Sequence, residues 1–164
     1  MPTSTYEKID KVTTSASQPS VTFSVIPATY TDLRLVVNGG ASVYGGFRLR
    51  LNGDTASNYS GTYILGTGSG SGSSGRDTSL AYGSAGYPLT TTLDSMHTVD
   101  FLNYSNATTY KTWLVRSSDA ASITLAQVQL WRKTPEAINS ILLYPASGNF
   151  VNGTTLTLYG IKAA

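Results

Sequence analysis

Cysteine is absent from this chain of 164 residues, and histidine occurs once, at His97. The absence of cysteine excludes disulfides, thiol nucleophiles and thiolate metal sites. A serine hydrolase needs a histidine between a nucleophile and an orienting acid, but no nucleophile-elbow pattern accompanies His97. We therefore predict a structural or surface role for His97, and we expect neither a metal nor another cofactor.

Charged residues are also scarce, at 12% of the chain, which is about half the usual share. The formal net charge is +2 and the lysines and arginines are scattered, so the sequence lacks the basic footprint that a phosphate backbone requires. No window approaches the ~18 apolar residues of a membrane helix, and residues 1–30 lack the pattern of a signal peptide. We expect no nucleic-acid partner and no membrane partner, and release by lysis or assembly if the protein leaves its cell.

Acidic residues number nine, which leaves a catalytic carboxylate pair, as in a glycoside hydrolase, open as an alternative. Aspartates at strand ends and in turns commonly accept hydrogen bonds from backbone amides. The aspartates that fall in such positions are Asp32, Asp54, Asp77, Asp94 and Asp119. We therefore predict turn-forming roles for them and a protein that is not an enzyme.

Alternation of apolar and polar residues is clearest in the stretch Phe-Arg-Leu-Arg-Leu that begins at Phe47. In an extended strand its three apolar side chains face one way, while Arg48 and Arg50 face the other. The following Asn52-Gly53-Asp54 predicts a tight reversal of the chain, because asparagine and glycine tolerate positive φ. The rest of the sequence repeats this unit of short strand and turn.

About ten short strands are predicted, at spacings of roughly eight to twelve residues and without a crossover helix. This pattern predicts an all-β fold, an antiparallel two-sheet sandwich of the jelly-roll type. We divide the chain into residues 1–20, an N-terminal strand or arm, and residues 21–164, a single jelly-roll domain. Residues 138–143 have helical propensity, but we predict a buried strand over residues 141–145, because the neighbouring segments are strands and Pro145 stops it.

Two other segments are predicted as loops. Glycine and serine dominate residues 66–75. We expect a mobile surface loop there, because the segment offers no side chain that could pack. We expect residues 83–92, which hold Tyr87 and Pro88, to form a second loop.

Apolar residues occur at both alternate positions in residues 93–104. Val99 and Phe101 oppose Met96 and Leu102 in this segment. Such a pattern predicts a strand that is covered on both faces.

Arginine and tyrosine supply most of the candidate contact residues, because both are enriched in protein interfaces while lysine is depleted. Arginines on the polar faces of strands are solvated or paired there unless a partner covers that face. Loop tyrosines can stack on a sugar or become buried in a partner protein. The candidate interface residues are Tyr6, Ile9, Arg34, Arg48, Arg50, Tyr59, Tyr87, Arg116 and Arg132.

Short strand-and-turn motifs follow one another in a set order along almost the whole chain. They are Tyr6-Glu7-Lys8-Ile9, Val21-Thr22-Phe23-Ser24-Val25-Ile26-Pro27, Leu33-Arg34-Leu35, Leu49-Arg50-Leu51-Asn52-Gly53-Asp54, Asn58-Tyr59-Ser60 and Leu158-Tyr159-Gly160-Ile161-Lys162. Together they resemble a family of small jelly-roll structural proteins of tailed bacteriophages. The resemblance implies a virion component without catalytic residues, either a capsid cement protein or a tail-fibre module.

From this resemblance we expect a noncatalytic capsid cement, or decoration, protein that binds the outer surface of the phage head shell and stabilises it. Its expected partners are the major capsid protein and other copies of itself, with a homotrimer favoured. Its expected location is the capsid surface of the virion, after synthesis in the host cytoplasm, and residues 1–20 would reach a neighbouring subunit. The alternative is a tail-fibre or tail-tip module that binds host-surface carbohydrate. A polysaccharide depolymerase is the third functional hypothesis.

Overall fold

Two antiparallel sheets face each other in the structure, a computed structural model that describes residues 5–162. The strands are β1 (Tyr6–Thr13), β2 (Val21–Phe23), β3 (Asp32–Gly39), β4 (Gly45–Leu51), β5 (Tyr59–Thr67), β6 (Gly72–Leu80), β7 (Gly83–Leu89), β8 (Ser95–Leu102), β9 (Lys111–Ser118), β10 (Ile123–Trp131), β11 (Ile141–Pro145) and β12 (Thr155–Ile161). No α-helix occurs among residues 5–162. Accordingly, that part of the chain contains no helix that could cross a membrane.

The larger sheet has eight strands in the order β1-β12-β3-β8-β9-β10-β5-β6, and the smaller sheet has four in the order β2-β11-β4-β7. The chain passes repeatedly between the two sheets, as it does in a jelly roll. Each pair of neighbouring strands is antiparallel. The prediction of an all-β, antiparallel two-sheet sandwich is confirmed, with twelve strands instead of about ten.

The core lies between the sheets and takes alternate side chains from most strands. In β4, Phe47, Leu49 and Leu51 are buried, whereas Arg48 and Arg50 lie on the outer face, as the alternation predicts. Burial of each large apolar side chain contributes about 1.5–3 kcal/mol. The largest buried aromatic side chains are Trp113, Trp131, Tyr59, Tyr104, Phe23, Phe47, Phe101 and Phe150.

The predicted reversal after β4 is present. Asn52 and Gly53 have φ angles of 49° and 69°, and two successive positive φ angles are typical of the type I′ turn that joins antiparallel strands. The amide of Asp54 donates to the Leu51 carbonyl at 2.9 Å and closes the turn. The Asn52 side chain also accepts a hydrogen bond from the Asn139 amide at 2.9 Å, which ties the turn to the segment before β11.

The strand predicted over residues 141–145 is confirmed, because it coincides with β11. In the smaller sheet β11 lies between β2 and β4. Ile141 and Leu143 are fully buried. A helix at this position would leave the β2 and β4 edges unpaired.

The prediction of a mobile loop at residues 66–75 is wrong. β5 continues to Thr67 and β6 begins at Gly72, and the two strands form an antiparallel hairpin. Backbone hydrogen bonds build this hairpin, and they need no packing side chain. At Gly75 a Cβ atom would lie 2.5 Å from the Tyr63 hydroxyl, so glycine leaves room there for the neighbouring ring.

Residues 83–92, also predicted as a loop, contain β7 at the edge of the smaller sheet. A Cβ atom at Gly83 would lie 2.3 Å from the Trp113 ring, and one at Gly86 would lie 2.1 Å from Nδ1 of His97. The glycines that made this segment resemble a loop therefore allow β7 to approach two large side chains of the larger sheet.

Half of the predicted N-terminal strand or arm that the structure describes is β1, an edge strand of the larger sheet. It pairs with β12 from Tyr6, opposite Ile161, to Thr13, opposite Thr155. Just beyond β1, the buried Thr14 hydroxyl donates to the Val151 carbonyl at 2.5 Å. Deleting residues 1–20 would therefore leave one edge of β12 unpaired as well as remove any contact with a partner. Residues 1–4 of the segment lie outside the described residues.

Candidate functional site

Aliphatic side chains are exposed on the outer face of the larger sheet, while the smaller sheet packs against its inner face. Ile64, Leu114 and Val128 are 68%, 40% and 54% exposed. Met96 and Leu102 of β8 are also about half exposed. The prediction that both faces of β8 are covered is therefore wrong, because only the Val99 and Phe101 side of the strand enters the core.

Strand register brings these aliphatic side chains together. Val128 of β10 lies opposite Leu114 of β9, and Ala126 of β10 lies opposite Ile64 of β5. These side chains line a groove of about 560 Å³, with Arg116 on its β8 side. We call the surface formed by Ile64, Leu114, Arg116, Ala126 and Val128 the outer groove.

The aliphatic character of the outer groove follows from an inverted pattern in β10. Gln127 and Gln129 point inward and are buried, whereas Val128 and Leu130 point outward. Inside the sandwich, Gln129 Nε2 donates to Gln127 Oε1 at 3.3 Å, and Gln129 Oε1 accepts from the Ser84 amide at 3.2 Å. The strand therefore buries amides that are hydrogen-bonded and leaves its branched apolar side chains in contact with solvent.

A charged cluster borders the outer groove on the β8 side. Asp100 is buried and accepts from Nε of Arg34 at 2.5 Å and from Nη2 of Arg116 at 3.3 Å. The hydrogen bond to Asp100 raises the pKa of Arg34. The Arg116 side chain remains 65% exposed. Because two guanidinium groups share one carboxylate, this border carries a net positive charge.

Tyr6 extends the charged cluster across the face. Its hydroxyl accepts from Nη1 of Arg34 at 2.9 Å, and its ring lies 5.4 Å from the Arg34 guanidinium carbon. The ring also makes an edge contact with Tyr159, at 6.5 Å between centroids. Of the candidate residues from the sequence, Tyr6, Arg34 and Arg116 are thus brought together beside the outer groove.

Other candidate interface residues lie elsewhere on the surface. Arg48 and Arg50 are on the outer face of the smaller sheet, and Arg132 is exposed just after the end of β10. Tyr87 belongs to β7 and makes an edge contact with Tyr44, at 5.7 Å between ring centroids.

Two candidates point inward, so their assignment to an interface is corrected. Tyr59 is fully buried and stacks on Trp131 at 6.3 Å between centroids. Its hydroxyl accepts from the Leu51 amide at 3.0 Å and therefore has a partner inside the protein. Ile9 is half-buried, and its side chain packs against the core instead of the outer face.

His97 is buried between the sheets and takes no part in the outer groove. Its ring meets Phe47 edge-on at 5.2 Å, and neither ring nitrogen has a hydrogen-bond partner. Burial lowers the pKa of His97 to about 3. Of the predicted structural or surface roles, the structure therefore supports the structural one. Elsewhere in residues 5–162, no cluster of three or more histidine and acidic side chains could hold a metal ion.

The fold and the site define an all-β sandwich with an aliphatic groove on the outer face of one sheet. No family profile matches the chain, and no curated protein sequence matches it. One similar solved structure is the galectin LEC-6 of Caenorhabditis elegans, with 10% sequence identity and a TM-score of 0.38. The match covers 93% of this chain and 96% of that chain.

Proposed function

We propose that this chain is a noncatalytic structural protein that attaches to the outside of a protein shell through its outer groove. The observation that carries the proposal is the contiguous exposure of Ile64, Leu114 and Val128. Contiguous apolar patches larger than a few hundred Å² are rare on monomeric proteins, and exposed apolar patches often mark binding surfaces. The inverted pattern of β10 supports this reading, because it places branched apolar side chains outside at the expense of the core.

The chemistry of the outer groove and its border suits a protein partner. Its centre is aliphatic, and its border carries Tyr6, Arg34 and Arg116. Interfaces between proteins typically combine an apolar centre with a polar rim, and tyrosine and arginine are enriched in them. Arg34 is already held by Asp100 and Tyr6, so a partner would meet a guanidinium whose conformation is fixed before binding.

Because the sequence motifs resemble those of phage structural proteins, we propose that the shell is a phage capsid and that the protein acts on it as a cement protein. Each copy would contribute a modest contact, and many copies would act together on one shell. A protein that binds the assembled shell more tightly than free subunits stabilises the shell by mass action. Grouping of the copies as trimers around symmetry axes belongs to the same proposal.

Leu114→Asp should abolish binding to undecorated capsids of the virus that encodes this chain. The substitution would bury an unpaired carboxylate at the centre of the interface, which costs several kcal/mol, so we expect a loss of affinity of at least about 30-fold. Cosedimentation with expanded capsids measures the bound fraction, and the disruption temperature of the shells reports their stabilisation. Wild-type protein should bind saturably and raise that temperature.

Val43→Asp is the matched control for this experiment. Val43 is 46% exposed, against 40% for Leu114, but it lies in the segment before β4 and away from the outer groove. Leu114→Asp also places a carboxylate opposite Asp100 of β8, and like charges in that position destabilise a sheet. Urea unfolding must therefore first show that both variants are fully folded under the conditions of the binding assay. Equal capsid binding by Leu114→Asp and Val43→Asp would contradict the role of the outer groove.

A second candidate function is host-carbohydrate binding by a tail-fibre or tail-tip module. The observation that favours it is the contact between Tyr44 and Tyr87, because Tyr44 is about half exposed beside the edge strand β7. An exposed aromatic pair can stack on a sugar ring. The cement proposal would be replaced by host-carbohydrate binding if the wild-type protein binds host cells but not capsids, and if Tyr44→Ala loses the binding to host cells. Release of new reducing ends from host polysaccharide would instead indicate a depolymerase.

A further inference from the structure

The outer face of the smaller sheet carries a second surface with a different chemistry. Arg48 and Arg50 alternate with buried residues in β4, so both side chains leave the sandwich on the same side. Because their positions differ by two residues, their Cα atoms are separated by about 6.8 Å along the strand. In the neighbouring strand β11, Tyr144 lies opposite Arg48 and Leu142 lies opposite Arg50.

Both guanidinium groups are held in place by aromatic rings. The guanidinium carbon of Arg48 lies 4.0 Å from the centroid of the Tyr82 ring, and that of Arg50 lies 5.3 Å from the Tyr144 ring. Nε of Arg50 also donates to the Ala81 carbonyl at 3.1 Å. Stacking of this kind occupies the flat face of a guanidinium and leaves N–H groups at its edge for a ligand.

Neither arginine has a carboxylate partner in the part of the chain that the structure describes. The ion pairs formed there involve Arg34, Arg116, Lys133 and Lys162 as the cations. Arg48 and Arg50 thus place two positive charges without ion-pair partners side by side on one strand, although Asp77 lines the same cleft as Arg48. Like charges so placed repel each other, and an anionic ligand that spans both would relieve the repulsion.

We propose that this surface, which we call the Arg48–Arg50 face, binds an extended acidic peptide segment whose carboxylates occupy alternate positions. Side chains two residues apart in an extended peptide lie on the same side with the same spacing of about 6.8 Å. Each carboxylate can therefore meet one guanidinium, and carboxylate and guanidinium groups form charge-assisted, often bidentate, hydrogen bonds.

Two features favour a peptide from another protein over other occupants. The rings of Tyr82 and Tyr144 already stack on guanidinium groups, which leaves them less available for a neutral sugar. A second copy of this chain cannot supply the ligand, because none of its nine acidic residues lies two positions from another. The inference does not depend on what covers the outer groove, because the two surfaces belong to different sheets.

The test is a titration of the isotope-labelled full chain with a peptide of alternating threonine and glutamate, followed by amide NMR shifts at low ionic strength. The matched probe is the same peptide with glutamine in place of glutamate. We expect shifts concentrated in β4, β7 and β11, and affinity for the glutamine peptide weaker by at least about tenfold. Binding of the glutamate peptide should weaken as salt is added. Equal affinity for both peptides, or no binding of either, would overturn the proposal.

Variants with matched charge locate the site. The double substitution Arg48→Gln with Arg50→Gln should weaken binding of the glutamate peptide by at least about tenfold. Arg76→Gln with Arg132→Gln removes the same charge from exposed positions in β6 and after β10 and should leave the affinity within about twofold. An equal loss in both double variants would mean that net charge alone attracts the peptide. Polygalacturonate and oligothymidylate are tested as other polyanions. If either binds the protein more tightly than the glutamate peptide does, the assignment of the site to an acidic peptide is overturned.

Discussion

Lowering the pH from 7 to 5 should reduce the free energy of unfolding by about 2 kcal/mol, and His97 should account for most of this loss. The imidazole is almost fully buried, and neither ring nitrogen has a hydrogen-bond partner. Burial lowers the pKa of His97 to about 3, and the nearby Pro88 carbonyl, which opposes this shift, does not reach hydrogen-bond geometry with either ring nitrogen. Phe47 and Gly86, which lie against its ring, carry no charge that could stabilise an imidazolium ion.

The direction of the effect follows from the two states of the chain. In the unfolded chain the imidazole titrates near its usual pKa of about 6.5. Below that pH the unfolded state binds a proton and the folded state does not, so stability falls as the pH falls. The contribution is fully present above about pH 7 and continues to be lost until the pH approaches the folded pKa of about 3. Unperturbed carboxyl groups titrate near pH 4, so the range from pH 7 to 5 isolates the histidine.

Urea unfolding at pH 7, 6 and 5 measures this loss in the wild type and in His97→Leu. Leucine has a similar volume and no proton to bind, so we expect the stability of the variant to change by less than about 0.5 kcal/mol over the same range. The same pH dependence in both proteins would contradict the prediction. His97 is the single histidine of the chain, so its NMR signal in the wild type gives an independent check. That signal should not shift between pH 7 and 5.

Strands could be predicted from the sequence wherever the two faces differ in polarity. β4 is such a strand, because apolar residues face the core and Arg48 and Arg50 face outward. β10 is the opposite case, since Gln127 and Gln129 are buried and Val128 is exposed. Nothing in the local pattern distinguishes this inversion from ordinary alternation. Leu125 and Trp131 occupy the same inward face as the two glutamines, so the fold buries that face of β10 instead of the face of Val128.

The glycine-rich parts of β6 and β7 were predicted as loops for a different reason. β6 is stabilised by backbone pairing with β5, which leaves no trace in the side-chain pattern. In β7, Gly83 and Gly86 are required by the bulk of Trp113 and His97 in the opposite sheet. In the sequence, the glycines of β7 indicate a flexible segment. The requirement for glycine at these positions arises only from packing between the two sheets.

The candidate site was predictable by residue type but not by position. Tyr6, Arg34 and Arg116 are far apart in the sequence, and the strand order β1-β12-β3-β8-β9 brings them to one face. That order depends on pairing between distant segments, which local patterns do not encode. The assignment of Tyr59 to an interface failed because its hydroxyl has internal partners in Leu51 and Asp54. From the sequence alone, a tyrosine whose hydroxyl is hydrogen-bonded inside the protein cannot be distinguished from one that contacts another protein.

The two proposed surfaces have a geometric consequence when they are taken together. The outer groove belongs to the larger sheet and the Arg48–Arg50 face to the smaller one, on opposite sides of the sandwich. A subunit attached to a shell through the outer groove would therefore present the Arg48–Arg50 face away from the shell. Attachment and peptide binding could then occur at the same time on a single subunit.

Asp54→Ala should lower the free energy of unfolding by about 3 kcal/mol, although the residue stands in a turn. The Asp54 carboxylate accepts from Nε1 of Trp131 at 2.6 Å, from Nδ2 of Asn58 at 2.8 Å and from the Ala56 amide at 2.9 Å. Burial alone would raise the pKa of Asp54, but these hydrogen bonds, led by the one from Asn58, outweigh it and lower the pKa. Alanine would leave the buried Trp131 N–H without an acceptor, which is the largest part of the expected loss.

Asp119→Ala is the matched control, because Asp119 also accepts three hydrogen bonds, from the amides of Ala121, Ser122 and Ile123. Those amides lie in a turn that water can reach, so we expect a loss below about 1 kcal/mol. Urea unfolding at pH 7, followed by tryptophan fluorescence, measures both variants. Similar losses in the two variants would contradict the role assigned to burial.

The pH dependence separates the Asp54 network from His97. Because the folded pKa of Asp54 is lowered, its contribution is present above its unfolded pKa of about 4 and is lost as the pH falls through the folded value. Asp54→Ala should therefore remain less stable than the wild type by a constant amount between pH 7 and 5, where His97 still titrates in the unfolded state. Below about pH 4 the difference in the free energy of unfolding between Asp54→Ala and the wild type should shrink. If that difference instead stays the same at acidic pH, packing, and not the ionised carboxylate, stabilises the turn.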